Sequence, residues 1–281
     1  MHTENSQRQR RQFLLGTVAS VAMASVGFPR KTTLAATMNN ASTDDGHRIL
    51  ELRLQTASPL DTMRDYYRDT LGLPVLDQTE SELAIQGGRT KITFIKTKQP
   101  DPPPFYHFAF NIPENKVKTA HDWQAERGPL MPTPKLMQDR NFPPAVRHFR
   151  NWNAHSVFFW DPAGNILEYI GRHTLDNAAD GPFTSDDILY ASEIAFITDD
   201  VATMADTIEK HFDLPQYLQG NDAFHAIGDE HGLLLVFERG RTSGAAVKNP
   251  QRFDVFTADV KIRSDKSLDL PDAPYRINHS A

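Results

Sequence analysis

The 281-residue sequence predicts an α+β fold built from repeated βαβββ units. Three observations carry this. Glu51-Leu-Arg-Leu54, His107-Phe-Ala-Phe110 and Glu193-Ile-Ala-Phe196 each place an ionisable residue before apolar residues one and three positions later, the mark of an internal repeat. Each of these starts is followed by a helical stretch and short strands, and Leu73-Pro74 and Leu214-Pro215 fall 22 and 21 residues after Glu51 and Glu193. The stretch His155 to Glu168 reads as strand, tight turn, strand, with Asp161-Pro162-Ala163-Gly164 as the turn.

In the first unit, Arg48 to Gln55 alternates Leu50, Leu52 and Leu54 with Glu51, Arg53 and Gln55, a strand with one apolar face. Ser58-Pro59-Leu60-Asp61 starts a helix, with Ser58 as N-cap and Pro59 at the first helical position; Gly72 ends it. Strands follow at 74–76, 82–86 and 91–96, with Gly87-Gly88 as a hairpin turn. After the Pro-rich linker 99–104 a second unit opens, with a strand over 106–112 and a helix over 114–127 closed by Gly128. Residues 129–153, rich in Pro, Arg, His and aromatics, are too long for a plain connection and read as a functional loop or lid. The strand pair around Asp161 to Gly164 completes this unit. The third unit has a strand over 190–198, a helix over 200–212, strands at 224–227 and 233–238, and a last strand at 253–262. Residues 263–281 read as a polar tail.

Composition bounds the partners. With 39% apolar and 23% charged residues the chain is of ordinary soluble, globular type. Residues 1–36 hold five bases and one acid, so the remainder carries 25 bases against 35 acids, a net charge of −10. That argues against nucleic acid or an anionic membrane as partner. The chain has no cysteine, which excludes disulfides and thiolate metal sites. Arg10-Arg11-Gln12-Phe13-Leu14-Leu15 opens an uncharged stretch of 16 residues, Phe13 to Phe28, shorter than the roughly 20 needed to cross a bilayer. Residues 1–36 resemble a bacterial twin-arginine export signal, and 37–46 read as a linker. The resemblance implies a periplasmic or extracellular protein exported in its folded state, with no membrane insertion after processing.

Glu168 is the one acid among Ile166, Leu167, Tyr169 and Ile170, and burying it unpaired is costly. His107-Phe-Ala-Phe110, followed some sixty residues later by Asp161-Pro-Ala-Gly-Asn-Ile-Leu-Glu168, resembles the vicinal oxygen chelate superfamily, which includes glyoxalases, bleomycin-resistance proteins and extradiol dioxygenases. The resemblance covers about 46–172 well and 187–262 more weakly. It implies that βαβββ units pair their sheets into a half-open barrel, with 46–172 as the paired module and 187–262 as a degenerate third unit. It also implies a divalent metal such as Fe, Mn or Zn held by Glu51, His107 and Glu168, with His155 or His148 moving protons. The substrate would be a small molecule with adjacent oxygens. A concave half left unpaired by the third unit suggests a homodimer.

Other readings of the same residues stand beside these. His107 and Glu168 also suit a hydrogen-bonded pair without metal, Glu51 an ion pair with Arg53, and Glu193 a structural role. His155 alternates with Val157 and Phe159, which fits a packing histidine as well as a general acid or base. Arg147, His148, Arg150 and Trp152 suit either substrate contacts or a solvated basic loop, and Asp229-Glu230-His231 suits a polar turn. Phe158 stands where extradiol enzymes carry Tyr, Thr93 or Ile92 where a first-unit acid would be, and Val236 where a third-unit acid would be. The competing function is a metal-free protein that sequesters a small planar ligand in the same cup.

Overall fold

The computed structural model describes residues 48–98, 100–242, 247–248 and 250–280; the segment 1–36 read as an export signal and the 37–46 linker lie outside them. The first unit contains β1 (Ile49–Thr56), α1 (Leu60–Asp65), β2 (Val75–Gln78), β3 (Glu82–Gly87) and β4 (Thr90–Lys96). The second contains β5 (His107–Ile112), α2 (Val117–Ala125), β6 (Val146–Phe149), β7 (Ala154–Trp160) and β8 (Ile166–Arg172). The third contains β9 (Tyr190–Thr198), α3 (Val201–Phe212), β10 (Phe224–Asp229) and β11 (Gly232–Glu238). Strands β12 (Ala258–Ile262), β13 (Leu268–Asp269) and β14 (Tyr275–His279) follow.

The strands form two seven-stranded sheets, ordered β13-β14-β12-β1-β4-β3-β2 and β10-β11-β9-β5-β8-β7-β6. The α+β class of repeated βαβββ units in curled sheets therefore holds, but the pairing of units differs from expectation. The second unit joins the third, through antiparallel β5 and β9. The first unit joins the C-terminal strands, through antiparallel β1 and β12. Residues 46–172 are thus not a self-contained paired module. Residues 268–279 are not merely a tail, since β14 lies parallel to β12 and buries Tyr275 and Ile277. Both β1 and β5 find their partners within the chain, which removes the unpaired half from which a homodimer was inferred.

Strand parity explains the burial. Leu52 and Leu54 of β1, Phe108 and Phe110 of β5, and Ile194 and Phe196 of β9 are fully buried in one core that also takes Met63 of α1 and Ile208 of α3. The alternate residues Glu51, His107 and Glu193 consequently face away from it.

Local chemistry sets the turns. Asp161 accepts from the backbone N–H groups of Ala163 and Asn165, both at 2.9 Å, and Gly164 takes φ +83°. Asn165 Oδ1 accepts from Tyr106 N at 2.8 Å, tying this turn to the start of β5. Pro59, rather than Ser58, occupies the N-cap position of α1, and Ser58 Oγ donates instead to the Pro162 carbonyl. Residues 129–153 are no detached lid: β6 extends the sheet at its edge, and Met131 N donates to Phe158 O at 2.7 Å.

Candidate functional site

The outward face of the second sheet curls round a cavity of about 260 Å³. Its polar end is made by His107 from β5, Glu168 from β8 and Glu193 from β9. Its walls include Phe149, Trp152, Phe158, Leu235 and Phe237. The pairing of the second and third units creates this site, because β9 lies directly beside β5 and sets Glu193 across from Ala109, which in turn stands beside Glu168.

The three donors converge. His107 Nε2 lies 3.5 Å from Glu168 Oε2 and 3.9 Å from Glu193 Oε2. His107 Nδ1 is 3.1 Å from the Ile166 carbonyl, which only accepts, so Nδ1 carries the proton and Nε2 presents its lone pair to the carboxylates. The imidazole lies between Phe158 and Phe237, with interplanar angles of 24° and 9°. Burial pushes its pKa down to about 4, so it is neutral at pH 7. Burial, and then the neighbouring Glu193, push Glu168 well above the usual carboxylate range, with Arg147 and Arg172 acting in the opposite sense. Glu193 is also raised by burial, while Arg172 opposes the shift. Arg172 is fully buried, and its Nη2 donates to Glu193 Oε1 at 2.5 Å while its Nε donates to Asn111 Oδ1 at 3.1 Å.

This donor set fits a divalent ion. One neutral imidazole nitrogen and two carboxylate oxygens suit Zn, Fe or Mn. Separations of 3.5 and 3.9 Å are long for hydrogen bonds. They approach the roughly 3.3–3.6 Å between donors on one tetrahedral ion with bonds of about 2.0–2.2 Å. On β11, Leu235 lies across from Ala195 as Glu168 lies across from Ala109, so the fourth position is apolar and open. Leu235, not Val236, faces the cup; Val236 belongs to the core.

Of the residues anticipated from sequence, His107 and Glu168 meet and Glu51 does not join them. Glu51 lies in the other sheet, 3.1 Å from Lys91 Nζ and 3.9 Å from Arg53 Nη1, with Thr93 at the equivalent of Glu168. The third donor is Glu193. Its signal was its place in the repeat, the same as that of His107. His155 and His148 also need correcting as proton carriers for this cup. They pair across β6 and β7 on the core-side face, whereas their neighbours Arg147, Phe149 and Phe158 line the cavity. The alternation of His155 with the core residues Val157 and Phe159 was the sequence signal for this. Arg172 and Arg241 were missed; Arg172 is a lone cation ending a buried strand, and Arg241 lies in a polar turn. Asp229 and His231 serve a turn, paired with Arg48 at 2.5 Å and bonded to Tyr190 OH at 2.8 Å.

Fold and site together define a protein of paired βαβββ units with a buried imidazole–carboxylate cup. Residues 48–169 match the model of the Glyoxalase/Bleomycin resistance protein/Dioxygenase superfamily. Among solved structures, a dioxygenase-like protein from Bacillus subtilis subsp. subtilis str. 168 is similar at 15% identity over 77% of this chain and 70% of its own, with a TM-score of 0.50. A mutant of glyoxalase I from Zea mays is similar at 15% identity over 82% of this chain and 90% of its own, with a TM-score of 0.48. At these identities the likeness is one of fold. No curated protein matches the chain in sequence.

Proposed function

We propose that this chain is a metal-dependent enzyme of the vicinal oxygen chelate type, acting on a small, flat molecule with adjacent oxygens. The observation that carries the reading is the convergence of His107 Nε2, Glu168 and Glu193 in a buried cup with an open apolar side. The superfamily match over 48–169 supports it, since members of that superfamily usually bind a divalent metal. His107, Glu168 and Glu193 would hold the ion, which when bound supplies a Lewis acid for two neighbouring substrate oxygens.

The chain's own groups do the rest. Phe158, Phe237, Phe149 and Trp152 exclude water and favour a planar substrate. Arg147 and Arg241, with guanidinium groups 4.0 Å from the Phe158 centroid and 5.1 Å from that of Phe237, place positive charge on the cavity wall. They suit a substrate bearing an anionic substituent. Arg172 holds Glu193 in place.

That last contact also favours the second reading, a metal-free binding protein, because Arg172 already offsets one of the two buried carboxylates. Elemental analysis of protein purified without chelator separates the two. A metal equivalent lost in His107→Ala supports the enzyme; a cup that takes no Mn, Fe or Zn in wild type leaves only the binding protein.

We also propose export of the folded chain, supported by Arg10-Arg11-Gln12-Phe13-Leu14-Leu15. Cell fractionation of wild type against Arg10→Lys/Arg11→Lys tests this. Among the described residues no helix is long and apolar enough to cross a membrane.

A further inference from the structure

A second cluster lies outside the cup, on the core-side face of β6 and β7. Asp139, from the loop before β6, stands beside His148 of β6 and His155 of β7, and one ligand atom from each lies within 4.8 Å of the others. His155 Nε2 is 3.4 Å from Asp139 Oδ2, and His148 Nδ1 is 3.7 Å from the same oxygen. Asp139 is held in this pose because its Oδ1 accepts from Asn141 N at 2.8 Å. His148 Nδ1 is buried and has no hydrogen-bond partner.

Behind the cluster runs a relay. His155 Nδ1 lies 2.8 Å from His173 Nε2, and His173 Nδ1 lies 2.7 Å from Glu114 Oε2. From Glu114 through His173 and His155 to Asp139 there are three gaps. The gaps of 2.7 and 2.8 Å are short hydrogen bonds, and the contact of 3.4 Å at Asp139 is the longest of the three. The carboxylate of Glu114 accepts from His173 Nδ1, and the contact between His173 Nε2 and His155 Nδ1 continues the chain towards Asp139. Three atoms able to ligate a metal, His155 Nε2, His148 Nδ1 and Asp139 Oδ2, meet at one point, and His148 Nδ1 has no hydrogen-bond partner there.

We propose that Asp139, His148 and His155 form a second metal site, for a divalent transition ion of the Zn type. The donor set of two imidazoles and one carboxylate is of the kind such ions take, with a fourth position left for water. The separations of 3.4 and 3.7 Å fall near the roughly 3.3–3.6 Å edge of a tetrahedral ion with bonds of about 2.0–2.2 Å. A histidine ligand whose other nitrogen donates into a hydrogen-bonded chain ending on a carboxylate is the usual outer support of a metal centre. The His148 and His155 rings stack at 4.2 Å, so they must tilt out of the stack for both lone pairs to meet one ion. Side-chain exposures of 19% for Asp139 and 22% for His148 leave an entry path. The site pins the 129–145 loop to β6, the strand whose alternate residues Arg147 and Phe149 line the cup.

The test uses the full chain with the cup disabled by His107→Ala and Glu168→Gln, freed of metal and titrated with Co²⁺ and Zn²⁺. This background should bind one equivalent, give a Co²⁺ visible band and gain thermal stability on loading. Adding Asp139→Asn or His148→Gln should abolish the band and the shift, and Glu114→Gln should weaken binding about 10–100-fold. Asp139→Asn is a loop change that leaves both sheets intact, and His148→Gln at the edge strand carries the test if it fails to fold. Absence of binding in the cup-disabled protein, or binding unchanged by Asp139→Asn and His148→Gln, overturns the proposal. The result is independent of the cup: if the cup takes no metal but this site does, wild type and His107→Ala hold the same single equivalent.

Discussion

Arg172 and Glu193 are joined at 2.5 Å, from Nη2 to Oε1, between β8 and β9 on either side of β5. Neither side chain is more than 3% exposed. The pair ties the second unit to the third at the point where the cup forms. Removing one member of a buried pair leaves the other charge without compensation. Arg172→Met should therefore cost about 3–5 kcal/mol in urea unfolding of metal-free protein. Adding Glu193→Gln to that variant should restore part of the loss.

Glu51→Gln should leave the metal content of the protein unchanged. Glu51 sits among Lys91 and Arg53 on the outer face of the other sheet, and a half-exposed ion pair contributes roughly 0–1 kcal/mol. Glu193→Gln should reduce metal content in the same elemental analysis. The opposite ranking would return the third ligand to Glu51.

Tyr67 OH donates to Asp161 Oδ2 at 2.7 Å, both groups being buried. This bond locks the helical segment of the first unit onto the turn that presents Glu168. Tyr67→Phe leaves the carboxylate one donor short and should cost about 1–3 kcal/mol in stability. The measurement is the shift in urea midpoint at constant slope.

The contribution of His107 to the stability of metal-free protein should fall as pH drops from 6.5 towards 4. His107 has a folded pKa of about 4 against an ordinary 6.5, so over that window the unfolded chain binds a proton that the folded chain refuses. Its contribution is complete above 6.5 and is lost on the way down to 4. Asp161, raised to about 6 by burial, and Glu168 and Glu193, also raised by burial, act with the opposite sign, since their folded forms take up a proton first as pH falls; His155, lowered to about 4 by burial, acts with the same sign as His107. Comparing wild type with His107→Gln isolates the histidine. The variant should lose less stability between pH 7 and 4, by on the order of 3 kcal/mol.

Much of the fold was legible because it rests on local patterns. Alternation in 48–55 and the Asp-Pro-Ala-Gly turn each specify their element within a few residues, and each element formed. The repeat located His107 and Glu193 at equivalent positions, one on each side of the seam. What sequence order misled was adjacency. The first and second units are consecutive in the chain, yet each pairs with a later segment, since nothing in a strand's side-chain pattern states which edge it will meet.

The sequence by itself determined the unit type, the faces of the strands and two of the three cup donors, His107 and Glu168. Those properties follow from period-two geometry and turn chemistry. Only the tertiary structure decided that Glu193 rather than Glu51 completes the cup, that Arg172 accompanies it, and that Asp139 meets His148 and His155. These are contacts between residues far apart in sequence, set by which sheet edges join and which face of each strand the core takes.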